Sequence, residues 1–361
     1  MPTVLWWGRC DRDYSRNRIV ARLFSELGWT IDHFHPISSQ LGLVESYLRR
    51  PRRPDLIWVP CFRQRDMHSA IHWAGRWQVP LIFEPLTSAY EKEVYERGKW
   101  PPGSKQAERR KQWESNLFLR SDLVVLENPA YADFVHGEMG IPREKLGVLY
   151  QGAFADFFRP MPPPPATAPF EIAFVGSFHP SMGTDVIVEA ARMARDLPCT
   201  WVLIGEGEMK PRAVAMAQGL TNVRFEPWIK YQRLPERLAA AHILLGIFGQ
   251  TYKTDFVIPN KVFEAMAVGR PLITQTASAY LETIGGSDVI GWVPRADPRA
   301  IAETVGRWLE YPKALGRRGK ETKALFDAHF SFERQRHMFK ALLGRVGLSQ
   351  GQPEGIIVDT R

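Results

Sequence analysis

Ile258-Pro259-Asn260-Lys261-Val262-Phe263-Glu264-Ala265-Met266-Ala267-Val268-Gly269-Arg270-Pro271, continuing into Leu272-Ile273, reads as a proline, a short buried helix, a glycine cap and an apolar strand. A helix that opens near Asn260 aims its free amide N–H groups, its positive dipole end and the Lys261 ammonium at one spot, a physical recipe for holding phosphate. A spacing of three puts Glu264 on the face of Lys261, one turn on, where a carboxylate can accept hydrogen bonds from a ribose diol. Diphosphate and ribose occur together in a nucleotide diphosphate sugar. Lysine and glutamate at this spacing also form ordinary solvated ion pairs, so the stretch takes its meaning from its surroundings.

Outward from it, the same strand and helix unit repeats. Short apolar runs at residues 172–175, 201–204, 223–225, 242–247 and 271–273 alternate with helices. The first half does the same: a strand over residues 3–8 closed by Gly8, a helix over 17–28 with Ile19, Leu23, Phe24 and Leu27 on one face, and strands at 55–59, 80–83 and 122–126. Such alternation implies parallel sheets covered on both faces. Between the halves lies Arg159-Pro160-Met161-Pro162-Pro163-Pro164-Pro165-Ala166, which can be neither helix nor central strand and reads as stiff polyproline II. The expected fold class is α/β, with two doubly wound, Rossmann-like domains facing each other across a cleft. The first covers residues 1–158, the Pro-rich linker 159–169 and the second 170–330. A last amphipathic helix over 331–348 and a mobile tail over 349–361 complete the chain. Ligands of doubly wound sheets bind outside the carboxyl ends of the strands, which here would face the cleft.

At 361 residues the chain exceeds what one hydrophobic core usually supports, consistent with two domains. Its net charge of +8 favours anionic partners, yet no finger, helix-turn-helix or RNA-recognition signature points to nucleic acid. The densest basic segment, residues 97–113, sets Trp100 and Trp113 among lysines and arginines, a composition suited to an anionic membrane surface. No apolar run is long enough to span a bilayer, and the first residues form a strand without a signal-peptide core. The expected location is the cytoplasm, with peripheral attachment at the inner membrane face. Cys10, Cys61 and Cys199 are scattered and read as free thiols; His68 and His72 stand one helical turn apart without a third ligand. No metal site is expected.

The segment Glu264 through Ile273 resembles the Glu-Ala-Met-Ala-x-Gly-x-Pro-Leu/Val-Ile signature of GT-B fold, family 4 glycosyltransferases. Phe174-Val175-Gly176 and Leu203-Ile204-Gly205-Glu206-Gly207 resemble two further signatures of that family, in the same order. A looser likeness to its bacterial members runs through Trp7-Gly8, Asp13-Tyr14-Ser15-Arg16-Asn17-Arg18 and Phe83-Glu84-Pro85-Leu86-Thr87-Ser88. The resemblance implies transfer of a sugar from a nucleotide diphosphate sugar, with retained configuration and no cofactor or metal. The acceptor would be a glycan, a lipid-linked molecule or another hydroxyl compound, in bacterial surface or extracellular polysaccharide or glycoconjugate synthesis. It also implies a last helix that returns to the first domain.

On this reading Gly176, Ser177, Phe178, Gly205, Lys253, Val257, Ile258, Pro259, Asn260, Lys261 and Glu264 bind the donor, Lys261 also serving the leaving diphosphate. Gly8, Asp13, Tyr14, Ser15, Arg16, Asn17 and Glu84 lie on the acceptor side, with Glu84 placed to accept a proton or hold an acceptor hydroxyl. The chain departs from the family pattern at Phe256, where many members have a first glutamate, and at Ser177 and Met182, where they have an arginine and a lysine. Lys253 and the amides around Val257 and Ile258 would then take up these roles. The departures keep open a second reading, a nucleotide-sugar-binding or regulatory protein that transfers nothing. A nicotinamide-dependent oxidoreductase is disfavoured, because Gly205-Glu206-Gly207 lacks the third glycine of a dinucleotide fingerprint.

Overall fold

The computed structural model describes residues 1–154 and 156–348; the tail expected from residue 349 lies outside the described residues. Six strands, β1 Thr3–Trp7, β2 Thr30–Phe34, β3 Leu56–Val59, β4 Leu81–Phe83, β5 Leu123–Leu126 and β6 Leu146–Val148, form a sheet of order β2-β1-β3-β4-β5-β6. Six more, β7 Phe170–Val175, β8 Cys199–Ile204, β9 Val223–Glu226, β10 Ile243–Leu245, β11 Leu272–Gln275 and β12 Gly291–Val293, form a second sheet of order β12-β11-β10-β7-β8-β9. Every pairing is parallel. The strands inside the sheets are the apolar runs of the sequence: β3, β4 and β5 are buried at every position, as a parallel strand covered by helices on both faces must be. Both sheets reverse their strand order once, the first between β1 and β3 and the second between β10 and β7. Those reversals open crevices at the strands' carboxyl ends.

The helix Asn260–Ala267 forms where the opening stretch predicts it, with Pro259 at its start and Gly269 beyond its end at φ 71°. Val262, Phe263, Ala265, Met266 and Ala267 are all buried beneath the sheet, so packing and not propensity holds this short helix. Arg270, which follows, is almost wholly buried. Its guanidinium donates to the carbonyls of Ala239, Met161 and Pro162, fastening the proline-rich linker onto the second domain. The last helix, Phe332–Arg345, lies on the first domain: Phe339, Leu342 and Leu343 join Val4, Trp6, Phe24 and Trp58 in one core. Arg345 donates to the Leu146 and Glu144 carbonyls, each at 2.8 Å, anchoring the helix beside β6.

Direct contacts tie the domains together on one side of the cleft. Asn128 Nδ2 donates to the Phe256 carbonyl at 2.8 Å, and Tyr95 stacks on Tyr252 with ring centroids 4.5 Å apart. Phe256 itself packs against the first domain's core and Phe134.

Candidate functional site

Between the carboxyl ends of the two sheets lies a cleft of ≈ 930 Å³, lined by residues of both domains. Val257, Ile258, Pro259 and Asn260 lead up its second-domain wall into the helix Asn260–Ala267, and the turn after β7 contributes Ser177 and Phe178. Lys261 stands behind this wall. Its Nζ lies 3.7 Å from the centroid of the Phe174 ring and 3.2 Å from the Met182 sulfur. No carboxylate among the described residues is within ion-pair distance of it. Burial pushes the Lys261 ammonium well below the usual lysine range, opposed only by the charge of Glu264. Burial likewise pushes Glu264 up to about 7, with Lys261 opposing. An amine held in this way gains its charge only when an anion joins it, and the side-chain oxygen of the preceding Asn260 is buried with no hydrogen-bond partner.

Gly176 lets Lys261 come close: a Cβ there would stand 2.5 Å from Lys261 Nζ and would push the end of the lysine aside. The amides of this turn are less available than the sequence suggests. Gly176 N–H donates to the Ile204 carbonyl at 3.0 Å and Phe178 N–H to the Glu206 carbonyl at 2.8 Å, leaving Ser177 as the turn's candidate donor. Gly205 supports from behind, because a Cβ there would collide with the Gly176 carbonyl, while Gly207 and Glu208 reach the cleft in its place.

Lys253 is placed differently from the expected phosphate helper. Its Nζ contacts Thr87 Oγ1 and Glu96 Oε2, each at 3.2 Å, across the domain boundary. Against the cost of burial, Glu91, Glu96 and Glu127 hold the Lys253 ammonium above the usual lysine range. Burial pushes Glu91 and Glu127 up to about 7, with Lys253 opposing in each case. Glu96 and Glu127 of this group, and His179 with its Nε2 3.7 Å from Glu96 and 3.8 Å from Glu208, line the cleft and are features that sequence reasoning missed. Glu127 follows an apolar strand just as Glu84 does, so the same signal applied at β5 finds it.

Of the acceptor-side residues only Tyr14 lines the cleft. Glu84 does not point into it: the carboxylate is fully buried and ion-paired with Arg16, which also donates to the Tyr150 carbonyl at 2.6 Å. Arg16 is therefore turned inward and presents no charge to an acceptor. Asn17 lies in the first turn of the helix Ser15–Glu26 and not in the cleft; its Nδ2 donates to the Asp11 carbonyl at 2.6 Å. Asp13 pairs with Arg18 at 2.9 Å, Ser15 opens the helix, and Gly8 N–H continues the sheet to the Phe34 carbonyl. In the basic segment, Trp100 packs on the first domain's core, Arg110 pairs with Glu93 at 2.7 Å and Lys111 with Glu138 at 3.2 Å. Among the described residues no group of three or more His, Cys, Asp or Glu is arranged to hold a metal ion, and no helix is long and apolar enough to cross a membrane.

Residues 169–311, which contain the whole second-domain wall, match the family model described as glycosyl transferases group 1. The chain is 29% identical over 202 residues to the putative colanic acid biosynthesis glycosyltransferase WcaL of Escherichia coli K12, covering 54% of this chain and 49% of the relative. It thus spans about half the length of that curated relative. Solved structures align over nearly the whole chain. Sucrose-phosphate synthase from Thermosynechococcus elongatus has a TM-score of 0.72 at 17% identity, covering 96% of this chain and 99% of its own. Anabaena Alr3699/HepE in complex with UDP and glucose has a TM-score of 0.70 at 14% identity, covering 95% of this chain and 100% of its own. The chain thus has the GT-B fold, and its residues 169–311 match the model of the group 1 glycosyl transferases.

Proposed function

We propose that the protein transfers a sugar, with retained anomeric configuration, from a nucleotide diphosphate sugar held on the second-domain wall to a hydroxyl acceptor entering from the first domain. The observation that carries this reading is Lys261: a cation without a carboxylate partner, behind Ser177 and at the opening of a helix, where the second sheet reverses its order. Charge that builds on a leaving diphosphate would meet the ammonium and the free amides of that helix start, in a site that burial makes electrostatically strong. Glu264, one turn on, suits the ribose hydroxyls. The UDP and glucose named for the Anabaena neighbour, and the colanic acid role named for the bacterial relative, support a nucleotide-sugar donor and polysaccharide or glycoconjugate synthesis.

Met182 and Ser177, standing where the resembling family has cations, favour a second reading in which the donor binds and no sugar moves. Incubation with a panel of nucleotide diphosphate sugars separates the two. Release of nucleoside diphosphate, with the sugar's anomeric configuration retained by proton NMR, is the expected result. Inverted configuration would contradict the retaining mechanism, and binding without release from any donor would favour the second reading.

A further inference from the structure

The first-domain wall of the cleft carries residues that the donor reading leaves without a task. The loops after β1, β3, β4, β5 and β6 bring Tyr14, Phe62, Leu86, Glu127 and Gln151 to one surface. Phe62 and Leu86 both hold their backbones in the left-handed region, at φ 63° and 59°, a strained conformation for large side chains. Arg50 and Gln78, which share it, stand at helix ends, where it is ordinary. Phe62 and Leu86 end no helix, and their loops are tied by Phe62 N–H donating to the Pro85 carbonyl at 3.3 Å. Strain of this kind persists where a site needs a side chain held in one place. What is held here is the Phe62 ring, 44% exposed and edge-on to Tyr14 with ring centroids 5.5 Å apart. Glu127 and Gln151 are almost wholly buried yet line the same cleft. Gln151 Nε2 donates to Glu127 Oε2 at 3.4 Å, while Gln151 Oε1 is buried with no hydrogen-bond partner. Burial, with the charges of Cys61 and Glu127 adding to it, pushes the Tyr14 phenol above its usual range, so Glu127 stands near the rings. Its position is fixed by the next residue, Asn128, through the bond to the Phe256 carbonyl.

We propose that this surface selects an uncharged saccharide as acceptor: a sugar ring lies against Phe62, and its hydroxyls donate to Glu127 and Gln151. The inference rests on the glycosyl-transfer reading of the cleft and narrows the acceptor that reading leaves open. An aromatic ring takes the apolar C–H face of a sugar, and a few fixed polar atoms set its orientation. An ionised carboxylate and an amide oxygen only accept hydrogen bonds, so the ligand must supply donors, as hydroxyls do. The same wall disfavours phosphate and carboxylate. Glu96 and Glu127 both face the cleft, and Lys253 is already held by Glu96 and Thr87. Lys92 and Arg97 also line the cleft, at the two ends of the turn that carries Glu96, so an anionic acceptor is the alternative that the experiment must separate.

The test is saturation-transfer NMR on the full chain loaded with UDP, at pH 8, above the value of about 7 to which burial raises Glu127. The probes are the methyl glycosides of glucose, galactose and mannose, each paired with the methyl glycoside of its uronic acid. At least one neutral glycoside should receive saturation on its ring C–H protons and bind about tenfold more tightly than its uronic partner. Glu127→Gln should reduce that preference about tenfold. Phe62→Gly should abolish the transfer while melting at or above the wild-type temperature, because glycine relieves the strained backbone. Both variants should keep the UDP-induced thermal shift. The proposal is overturned if no neutral glycoside receives saturation, if the uronic partners bind equally well or better, or if the preference survives in Glu127→Gln. A Phe62→Gly variant that binds like wild type removes the ring from the site, and one that melts well below wild type makes it a packing residue; either result also overturns the proposal. An absent UDP-induced shift in the wild-type protein would instead overturn the donor reading on which the inference rests.

Discussion

Lys261 and Glu264 are a pair made by helix geometry alone, which is why they were legible before any tertiary contact was known. Three residues of helix fix their shared face, and Pro259 fixes where the helix starts. The carboxylate's role can be read directly: Glu264→Gln keeps the shape and removes acceptor charge, so the preference for UDP over 2′-deoxy-UDP should fall several-fold while the melting temperature stays near wild type. Unchanged discrimination would make Glu264 a structural residue. Arg16 and Glu84 show the opposite case. They are 68 positions apart, and whether a carboxylate after a strand turns to the cleft or to the interior depends on what partner the fold offers it. Here the partner is the Arg16 guanidinium, on the helix Ser15–Glu26 that follows β1, and the expectation of an acceptor-side Glu84 fails. Arg16→Ala should leave a buried carboxylate unpaired and cost about 3 to 5 kcal/mol in urea unfolding, whereas Arg16→Met with Glu84→Gln should recover most of that. A loss below 1 kcal/mol for the single variant would mean that water reaches Glu84.

Among the elements, the turn after β7 depends on glycines of the neighbouring strand end. Gly205 lies against the Gly176 carbonyl, and a Cβ on Gly207 would stand 2.6 Å from Phe178 N. Gly205→Ala should therefore displace the turn, lowering both the melting temperature and UDP affinity. If affinity is kept in a folded variant, the turn does not contribute to the donor wall. The strands that the sequence failed to show, β2, β6 and β12, are all edges of their sheets. An edge strand is not buried on every side, so the continuous apolar run that marks an interior parallel strand is lost. β2 is mostly exposed or half-buried, and β6 and β12 each contain a glycine in three residues. The edge strand β9 was legible because Val223 and Phe225 still alternate with polar positions.

At the scale of the whole molecule, the relation between the domains is what composition and periodicity could not supply. The acidic group around Lys253 is assembled from segments far apart in sequence, and nothing local marks Glu91, whose two carboxylate oxygens are buried without partners. Its folded carboxyl is raised from 4.5 to about 7 by burial, so the folded state binds the proton more tightly than the unfolded one. That stability is present below about pH 4.5 and is lost as pH rises through 7. Glu91→Gln should remove this loss, making the variant more stable than wild type at pH 8 by about 1 to 3 kcal/mol and similar to it at pH 5. A variant less stable at both pH values would show that the carboxylate, paired with Lys253, holds the domains together instead. The most direct measurement for the account as a whole is calorimetric titration of UDP and uridine into the wild-type protein and Lys261→Ala. A charge-assisted contact worth about 1.5 to 3 kcal/mol predicts that wild type binds UDP at least tenfold more tightly than uridine, and that the variant loses this difference while binding uridine as before. Equal UDP affinity in the two proteins, or equal loss of UDP and uridine binding, would contradict a diphosphate site at Lys261.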